Sequence, residues 1–361
     1  MKKILLVDDS ALMRSVVGDI INSDARFHVE DKARDGVEAM ELLEKKQYDA
    51  VVLDANMPKL DGIGVLKRIR MEGIRARVLM CSTSTQEGSK LAMDALELGA
   101  IDFVHKPERA SLCKGEFFSK FFLQTLAAVC AGKLPLNDHA ILPDLTRNAG
   151  GSVSGVAASG GGKTGELTKG NRLVALAAST GGPKALQAVI PRLPKNLNAP
   201  VVLVQHMPSG FTASLAHYLD SMSVINVKEA EEGDILKAGT VYIAKGGLHL
   251  YVQLEHGQHV IHFKDGPTRE GVKPCANYMY ESLADSKYDE IVCVVLTGMG
   301  ADGTEGIRNL KKKKKVHVIS QNADTCIVYG MPRAVVSAGL SDEEEPLDQI
   351  AREIVLNIGV S

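Results

Sequence analysis

Residues 3–9 read KILLVDD, an apolar run of strand length that ends in two aspartates. A stretch with helical spacing follows the next such run, with Val37, Met40 and Leu43 among polar neighbours. The two kinds of stretch then alternate as far as residue 131. Strands that alternate with helices predict a parallel sheet covered by helices on both faces. The five predicted strands are KILLV, HVEDKA, YDAVVLD, RVLMCS and DFVHK, in chain order.

The same alternation resumes at Arg172. One stretch, residues 241–263, differs because its side chains alternate with period two around Gly246-Gly247 and His256-Gly257. It predicts an antiparallel hairpin or meander appended to a second, doubly wound and mostly parallel α/β sheet. The predicted buried strands of that sheet are RLVALAAS, APVVLVQHM, DEIVCVVLTGM and KVHVIS.

The region between the two parts is rich in Gly, Ser, Ala and Pro, which predicts a flexible linker. It contains AASGGGKT at residues 157–164, a near match to a phosphate-binding loop. Such a loop needs a buried strand before it and a helix after it, and the preceding NAGGSVSGV is no strand, so we favour the linker interpretation. The predicted organisation is therefore a first domain over 1–131, a linker over 132–169 and a second domain over 170–361. A chain of 361 residues agrees with two domains.

The composition argues against several classes of function. Lys and Arg number 42 and Asp and Glu 44, so the net charge of −2 gives no general attraction for nucleic acid or acidic membranes. Aromatic residues make up only 4% and Trp is absent, which disfavours a base-stacking surface. No apolar run approaches a membrane span and the N-terminal run is too short for a secretion signal, so we expect a cytoplasmic protein without membrane insertion. The six cysteines form no CxxC pair, and we expect reduced core thiols.

Polar side chains end four of the five strands predicted in the first domain. Asp8 and Asp9 follow the first, Asp54 ends the third, and Ser82 and Lys106 end the fourth and fifth. Because the carboxyl ends of parallel strands share one edge of a sheet, these groups should converge. Clustered carboxylates repel unless a hard cation such as Mg²⁺ lies among them, and an ionised Asp54 could then attack a phosphoryl donor. Lys106 and Ser82 could hold the new phosphate oxygens. Taken singly, each residue is as well explained by a turn or a helix cap.

Together, the segments LLVDDS, VVLDANMP, MCSTS and LGAIDFVHKP resemble the response-regulator receiver domain over about the first 125 residues. The resemblance implies a flavodoxin-like fold with a five-stranded parallel sheet. It implies Asp54 as phosphoacceptor, Ser82 as switch hydroxyl and Lys106 as phosphate partner. It also implies a Mg²⁺ cofactor at this site, with Asp9 as direct ligand and Asp8 assisting. The implied metal ligands are Asp8, Asp9, Asp54 and the carbonyl of Asn56.

The strand-end rule, applied to the second domain, selects three residues. Ser179 follows RLVALAA and precedes a turn and a helix, His206 follows APVVLVQ, and Asp302 lies just beyond IVCVVLTGMG. At one sheet edge they would supply a nucleophile, a general base and an orienting carboxylate. Gly181 and Gly182 would let backbone N–H groups approach a developing oxyanion. Individually, residues of these types more often serve as helix N-caps, which would account for Ser179 and Asp302, and His206 could be a strand-end histidine.

The second domain also resembles a known family, the catalytic domain of the chemotaxis protein-glutamate methylesterases. The resemblance implies Ser179, His206 and Asp302 as the catalytic triad, with Thr180 and Met299 supporting the oxyanion and no cofactor in the esterase site. It further implies demethylation of glutamate γ-methyl esters on methyl-accepting chemotaxis receptors, with a chemotaxis histidine kinase as phosphodonor. The same acyl-enzyme chemistry would allow deamidation of receptor glutamines. The segments that carry it are ALAASTGGPKAL, VVLVQHMPSGFTASLA, EGDILKAGTVYIAKGGLHL, VVLTGMGADGTEGI and CIVYGMPRAV.

The chain departs from the family pattern outside the triad. Where the family reads His-x-Pro-Ser-Val-Asp, residues 273–278 read KPCANY, and its Gln-Asp-Glu becomes Gln321-Asn322-Ala323. We expect these changes to affect receptor preference more than the chemistry. Two alternative classes of protein are a catalytically idle docking module, which an incomplete triad would favour, and a response regulator that binds DNA. The latter lacks a helix-turn-helix and a basic domain.

Overall fold

The computed structural model describes residues 1–83, 86–107, 113, 115–132 and 171–360. The predicted linker, apart from Gly132, and the phosphate-loop-like motif at 157–164 lie outside the described residues. Within the first domain the strands and helices alternate as predicted. They are β1 (Lys2–Val7), α1 (Ala11–Asn22), β2 (Phe27–Ala33), α2 (Gly36–Lys45), β3 (Ala50–Asp54), α3 (Gly62–Met71), β4 (Val78–Thr83), α4 (Gln86–Glu97), β5 (Asp102–Lys106) and α5 (Glu116–Ala131).

The first sheet has the strand order β2-β1-β3-β4-β5, and all its pairs are parallel. All five residues of β3 are buried, as expected for a central strand with helices on both faces. Ser10, Asp35 and Asp61 cap the first three helices by accepting backbone N–H groups. Gly62 opens α3 against the Asp54 backbone: a Cβ there would lie 2.4 Å from the Asp54 carbonyl oxygen. The absence of a side chain at Gly62 therefore lets α3 begin directly beside the end of β3.

The second domain is built on a seven-stranded sheet of order β14-β13-β12-β6-β7-β9-β8, in which every pair is parallel. β6 lies between β7 and β12, so the strands that follow it in the chain are added first on one side of it and later on the other. Such a reversal of strand order is a topological switch point, and open α/β sheets bind ligands there. The strands are β6 (Arg172–Ala178), β7 (Val201–Gln205), β8 (Asn226–Glu229), β9 (Thr240–Ile243), β12 (Glu290–Val295), β13 (Lys315–Gln321) and β14 (Glu343–Glu345). The helices are α6 (Gly182–Val189), α7 (Phe211–Ser221), α8 (Ala276–Ser282), α9 (Thr304–Lys311), α10 (Met331–Ser337) and α11 (Leu347–Ile358).

The appended antiparallel hairpin is confirmed, with a narrower extent than the pattern indicated. β10 (His249–Glu255) and β11 (Gln258–Lys264) pair around His256 and Gly257, both with positive φ, as a tight hairpin turn requires. The prediction that the hairpin begins at residue 241 is wrong, because β9, which contains that residue, joins the parallel sheet between β7 and β8. Gly246 is needed for close packing: a Cβ there would lie 2.3 Å from the Pro208 carbonyl oxygen. The short polar edge strands β8 and β14 were not predicted from the sequence.

The two domains pack against each other. α4 of the first domain lies on α7 and α6 of the second. The rings of Phe103 in β5 and Phe211 at the start of α7 stack with centroids 4.9 Å apart. Buried apolar residues of both domains form one continuous cluster across this contact. The carboxyl edge of the second sheet therefore faces β5 of the first domain.

All six cysteines are among the described residues, and each is buried with a free thiol, as expected of core thiols. Among the helices described, none has the length and apolar character that a bilayer span requires.

Candidate functional site

Three carboxylates converge at the carboxyl edge of the first sheet. Asp8 and Asp9 directly follow β1 and Asp54 ends β3, and one oxygen from each lies within 4.8 Å of the others. The Lys106 Nζ lies 2.8 Å from Asp8 Oδ2 and 2.7 Å from Asp54 Oδ1. One ammonium does not balance three carboxylates. The donor set is all oxygen and carries excess negative charge, so it fits a hard divalent cation such as Mg²⁺.

The electrostatics of this cluster are set by burial and by neighbouring charge. Burial raises the pKa of Asp54, the charges of Asp8 and Asp9 add to that rise, and Lys106 opposes it. Burial alone would lower the pKa of Lys106, but Asp54 and Asp8 outweigh it and raise that pKa. Lys106 therefore stays charged against the carboxylate of Asp54.

The two other residues assigned to this site are placed by the backbone. Asn56 is exposed, two residues after β3, on the loop that leaves Asp54. Ser82 pairs with His105 in the β4–β5 register, one position before Thr83 and Lys106. The Ser82 side chain lies outside the part of the chain whose side chains are described. The roles of Asp54, Asn56, Ser82 and Lys106 stay predictions.

Ser179 lies at the turn between β6 and α6. Its N–H donates to the Thr297 carbonyl after β12, and the neighbouring His206 N–H donates to the Ala178 carbonyl. These bonds tie the end of β6 to the ends of β12 and β7 on either side. Gly181 adopts φ 74°, so the chain turns sharply into α6 there. Ser179 is consequently not the N-cap of α6; Gly181 occupies that position.

Gln205 and Gly298 enclose the Ser179 turn. The Gln205 Nε2 donates to the Ser179 carbonyl at 3.0 Å and to the His206 carbonyl at 3.2 Å. A Cβ at Gly298 would lie 2.8 Å from the Ser179 Cβ, so only glycine lets the loop after β12 approach this closely. Thr180 follows Ser179 and Met299 follows Gly298, so both residues predicted to support the oxyanion flank Ser179. Their roles stay predictions.

His206 and Asp302 form a buried pair. His206 Nε2 lies 2.8 Å from Asp302 Oδ2. The other ring nitrogen, Nδ1, is buried and has no hydrogen-bond partner among the described residues. His206 and Ser179 line the same small cavity. Since Asp302 engages Nε2, Nδ1 is the ring nitrogen left to exchange a proton in that cavity.

Asp302 accepts four hydrogen bonds. Oδ2 accepts from the Ala276 N–H at 2.6 Å as well as from His206, and Oδ1 accepts from the Asn277 N–H at 2.9 Å and the Cys275 thiol at 3.0 Å. Burial alone would raise the pKa of Asp302, but the bond to His206 and the other donors outweigh it and lower it to about 2. The N-cap interpretation of Asp302 is wrong for its own helix, where Gly303 is the N-cap. Asp302 instead binds the first N–H groups of α8.

The first domain closes the cavity at Ser179. The Asp102 carboxylate, on β5, accepts the Gly181 N–H at 3.1 Å through Oδ2 and its neighbour Phe103 N–H at 2.9 Å through Oδ1. Burial raises the pKa of Asp102 to about 7, against the lowering effect of these two backbone donors. The cavity measures about 30 Å³ and is lined by Ser179 and His206 of the second domain and by Asp102 of the first. It has room for water and none for a side chain of substrate size.

Sequence reasoning missed Asp102, Gln205 and Cys275. Asp102 begins a predicted strand and Gln205 lies near the end of another, so the sequence placed both residues correctly. It did not indicate which groups they would bind. Cys275 falls in the stretch singled out for departing from the family pattern. That departure was the one signal in the sequence that pointed to a residue beside Asp302.

The comparisons with known proteins agree with both domains. The CheB methylesterase family model matches residues 174–354 and the response regulator receiver model matches residues 4–114. A protein-glutamate methylesterase/protein-glutamine glutaminase 1 of Syntrophomonas wolfei is 41% identical, with 98% of each chain covered. A protein-glutamate methylesterase/protein-glutamine glutaminase of Geobacillus kaustophilus is 40% identical over 99% of each. The crystal structure of the Thermotoga maritima CheB methylesterase catalytic domain is 40% identical with a TM-score of 0.50, covering 52% of this chain and 98% of that one.

Fold and similarity together define a two-domain signalling hydrolase, in which a receiver domain is packed on a parallel-sheet esterase domain. The chain belongs to the CheB methylesterase family. The predicted fold class and family are confirmed, and the expectation of a phosphorylation-regulated chemotaxis enzyme agrees with them.

Proposed function

We propose that this chain hydrolyses γ-methyl esters of glutamate side chains on methyl-accepting chemotaxis receptors, with Ser179, His206 and Asp302 as its catalytic triad. We further propose that it acts in the cytoplasm and that a chemotaxis histidine kinase supplies the phosphoryl group for Asp54. The names of the relatives, which pair methylesterase with glutaminase activity, support deamidation of receptor glutamines as a second reaction of the same site.

The observation that carries this proposal is the state of the His206 ring. Nε2 is held by the ionised Asp302, while the buried Nδ1 has no partner in the part of the chain that the structure describes, and His206 lines the same cavity as Ser179. A serine hydroxyl is a poor nucleophile until a base accepts its proton. An imidazole oriented by a carboxylate on one nitrogen and free on the other supplies such a base.

The reaction follows from these groups. The Ser179 Oγ attacks the ester carbonyl carbon as its proton passes to His206 Nδ1, and Asp302 stabilises the resulting imidazolium. Thr180 and Met299 flank the developing oxyanion and stabilise it. The C–O bond to the methoxy group breaks, and methanol leaves with the proton from His206. Water then attacks the carbonyl carbon of the acyl-enzyme as His206 accepts its proton; the ester bond to Ser179 Oγ breaks, Oγ recovers that proton from His206, and the glutamate side chain is released. A glutamine substrate loses ammonia in place of methanol.

The receiver site would work through Asp54. Its carboxylate oxygen would bond to the phosphorus as the bond between phosphorus and the donor breaks, and Lys106, already 2.7 Å from Asp54, would pair with the phosphoryl oxygens. Mg²⁺ held by Asp8, Asp9, Asp54 and the Asn56 carbonyl would supply the positive charge that neutralises the phosphoryl group. Ser82, on the neighbouring strand, is the proposed hydroxyl partner of the phosphate.

The contact between the domains supports control of the esterase by occlusion. β5 carries Lys106 at one end and Asp102 with Phe103 at the other, four residues or about 13 Å apart. Asp102 binds the Gly181 N–H beside Ser179, and Phe103 stacks on Phe211. The phosphoacceptor site and the closed cleft thus share one rigid strand. A change in the partners of Lys106 is proposed to loosen the contact at the other end of that strand.

The test measures methanol release from methylated receptor fragments by the full chain, with and without acetyl phosphate and Mg²⁺. Ser179→Ala should fold normally and lose about 10³-fold or more of the activity. The matched control is Ser221→Ala, at the C-terminal end of α7, whose hydroxyl donates to the Tyr218 carbonyl. Retention of more than a tenth of the activity in Ser179→Ala would contradict the nucleophile. A wild-type chain that binds receptor but releases no methanol would instead support a docking module.

A further inference from the structure

Cys275 lies in the stretch KPCANY, residues 273–278, at which this chain departs from the family pattern. The residue is fully buried at the N-cap of α8, and its Sγ lies 3.0 Å from Asp302 Oδ1. It is therefore in direct contact with the carboxylate that holds His206. We expected the changed stretch to affect receptor preference more than the chemistry. Its residue Cys275 instead contacts the proposed triad.

The four hydrogen bonds divide evenly between the oxygens of Asp302. Oδ2 takes His206 and the Ala276 N–H, and Oδ1 takes Cys275 and the Asn277 N–H. The two N–H donors are fixed by the backbone of α8. The Cys275 thiol is thus the one side-chain donor described on the oxygen that faces away from His206, and rotation of the carboxylate would break its bond.

The thiol acts as donor because it stays protonated. Burial raises the pKa of Cys275, and the neighbouring charge of Asp302 raises it further. An S–H group is a weaker donor than a hydroxyl. It therefore withdraws less of the negative charge of the carboxylate than Ser would and leaves more of that charge for the imidazolium of His206.

We propose that Cys275 is a positioning residue of the esterase, which fixes the rotation of Asp302 and sets how strongly its carboxylate attracts the protonated His206. The proposal rests on the catalytic triad proposed above. It differs from a packing role, in which the sulfur would only fill the space before α8.

The experiment compares Cys275→Ala and Cys275→Ser with the wild-type full chain. Cys275→Ala removes the donor, and Cys275→Ser replaces it with a stronger one. Cys293→Ala is the matched control, because Cys293 is an equally buried thiol in β12. For each variant, kcat/KM for methanol release is measured from about pH 5 to pH 9, together with the melting temperature. The proton NMR signal of the His206–Asp302 hydrogen bond is recorded as a readout independent of turnover.

Cys275→Ala should lower kcat/KM about five- to tenfold, the effect of losing one weak donor to a charged group. Its acid limb should move to higher pH, because a carboxylate with one donor fewer attracts the protonated imidazole more strongly. Cys275→Ser should keep at least about a third of the wild-type kcat/KM, with the acid limb at or below the wild-type position. The NMR signal of Cys275→Ala should be shifted from the wild-type position. The signal of Cys275→Ser should lie at the wild-type position or be shifted from it in the opposite direction. Cys293→Ala should leave the pH profile unchanged.

Two results would overturn the proposal. One is a Cys275→Ala enzyme within twofold of wild type and an unmoved NMR signal. The other is equal losses in Cys275→Ala and Cys275→Ser with an unmoved acid limb, which a packing role predicts. Failure of the triad itself would look different, since the wild-type chain and the Cys293→Ala control would then both release no methanol.

Discussion

We predict that Asp102 makes closure of the esterase cleft dependent on pH. Its carboxylate is buried between the domains against the Gly181 N–H, and burial raises its pKa from an ordinary 3.8 to about 7. When the receiver moves away, Asp102 faces water and its pKa returns towards 3.8. A group whose pKa is higher in the closed form favours closure at low pH, and this contribution is lost as the pH rises towards about 7.

The magnitude follows from the two pKa values. A difference of about three units corresponds to about 4 kcal/mol between pH below 4 and pH above 7. Between about pH 5.5 and pH 7.5, the open-to-closed ratio should rise on the order of 25-fold. Basal activity of the unphosphorylated chain should rise in proportion while the closed form predominates.

The assay expresses the basal activity of the full chain relative to that of the fragment from Lys169 to Ser361 at each pH, which cancels the titration of the catalytic groups. For the wild type this ratio should increase severalfold or more from about pH 5.5 to pH 7.5. For Asp102→Asn, which keeps an oxygen for the Gly181 N–H but cannot ionise, the ratio should be flat. His105→Gln is the control, because His105 also lines the cavity from β5. A flat wild-type ratio, or a slope that persists in Asp102→Asn and disappears in His105→Gln, would refute the reasoning.

Two further outcomes test the regulation. Asp54→Asn removes the acceptor oxygen but keeps the shape, so basal esterase activity should persist while stimulation by acetyl phosphate and Mg²⁺ disappears; continued phosphate incorporation into the receiver would show that another residue is the acceptor. Removal of residues 1–168 should raise activity to at least the phosphorylated level, about tenfold above basal if closure is favoured by about 1.4 kcal/mol, with no response to phosphodonor. A fragment slower than the unphosphorylated full chain would mean that the receiver activates by contact instead of covering the cleft.

The sequence by itself determined the fold class and the two candidate sites. Strands buried on both faces, such as Ala50–Asp54 and Arg172–Ala178, are apolar except for one charged residue at an end, and this local pattern is visible without any structure. The carboxyl ends of parallel strands meet at one edge, so the strand ends at Asp54, Ser179 and His206 could be assigned in advance. Strands with little apolar character, such as the edge strand Glu343–Glu345, carry no such signal and were missed.

Only the tertiary structure decided which polar groups are partners. Cys275 lies 27 residues from Asp302, and Asp102 lies 79 residues from Gly181 in another domain. The periodicity of apolar residues indicates whether a position is buried, because burial depends on where the residue lies on its own strand or helix. The partner of a buried polar group depends instead on which distant segments packing brings together. For that reason the sequence located the Ser179, His206 and Asp302 edge, while the thiol that supports Asp302 and the receiver carboxylate beside Ser179 became visible only in the folded chain.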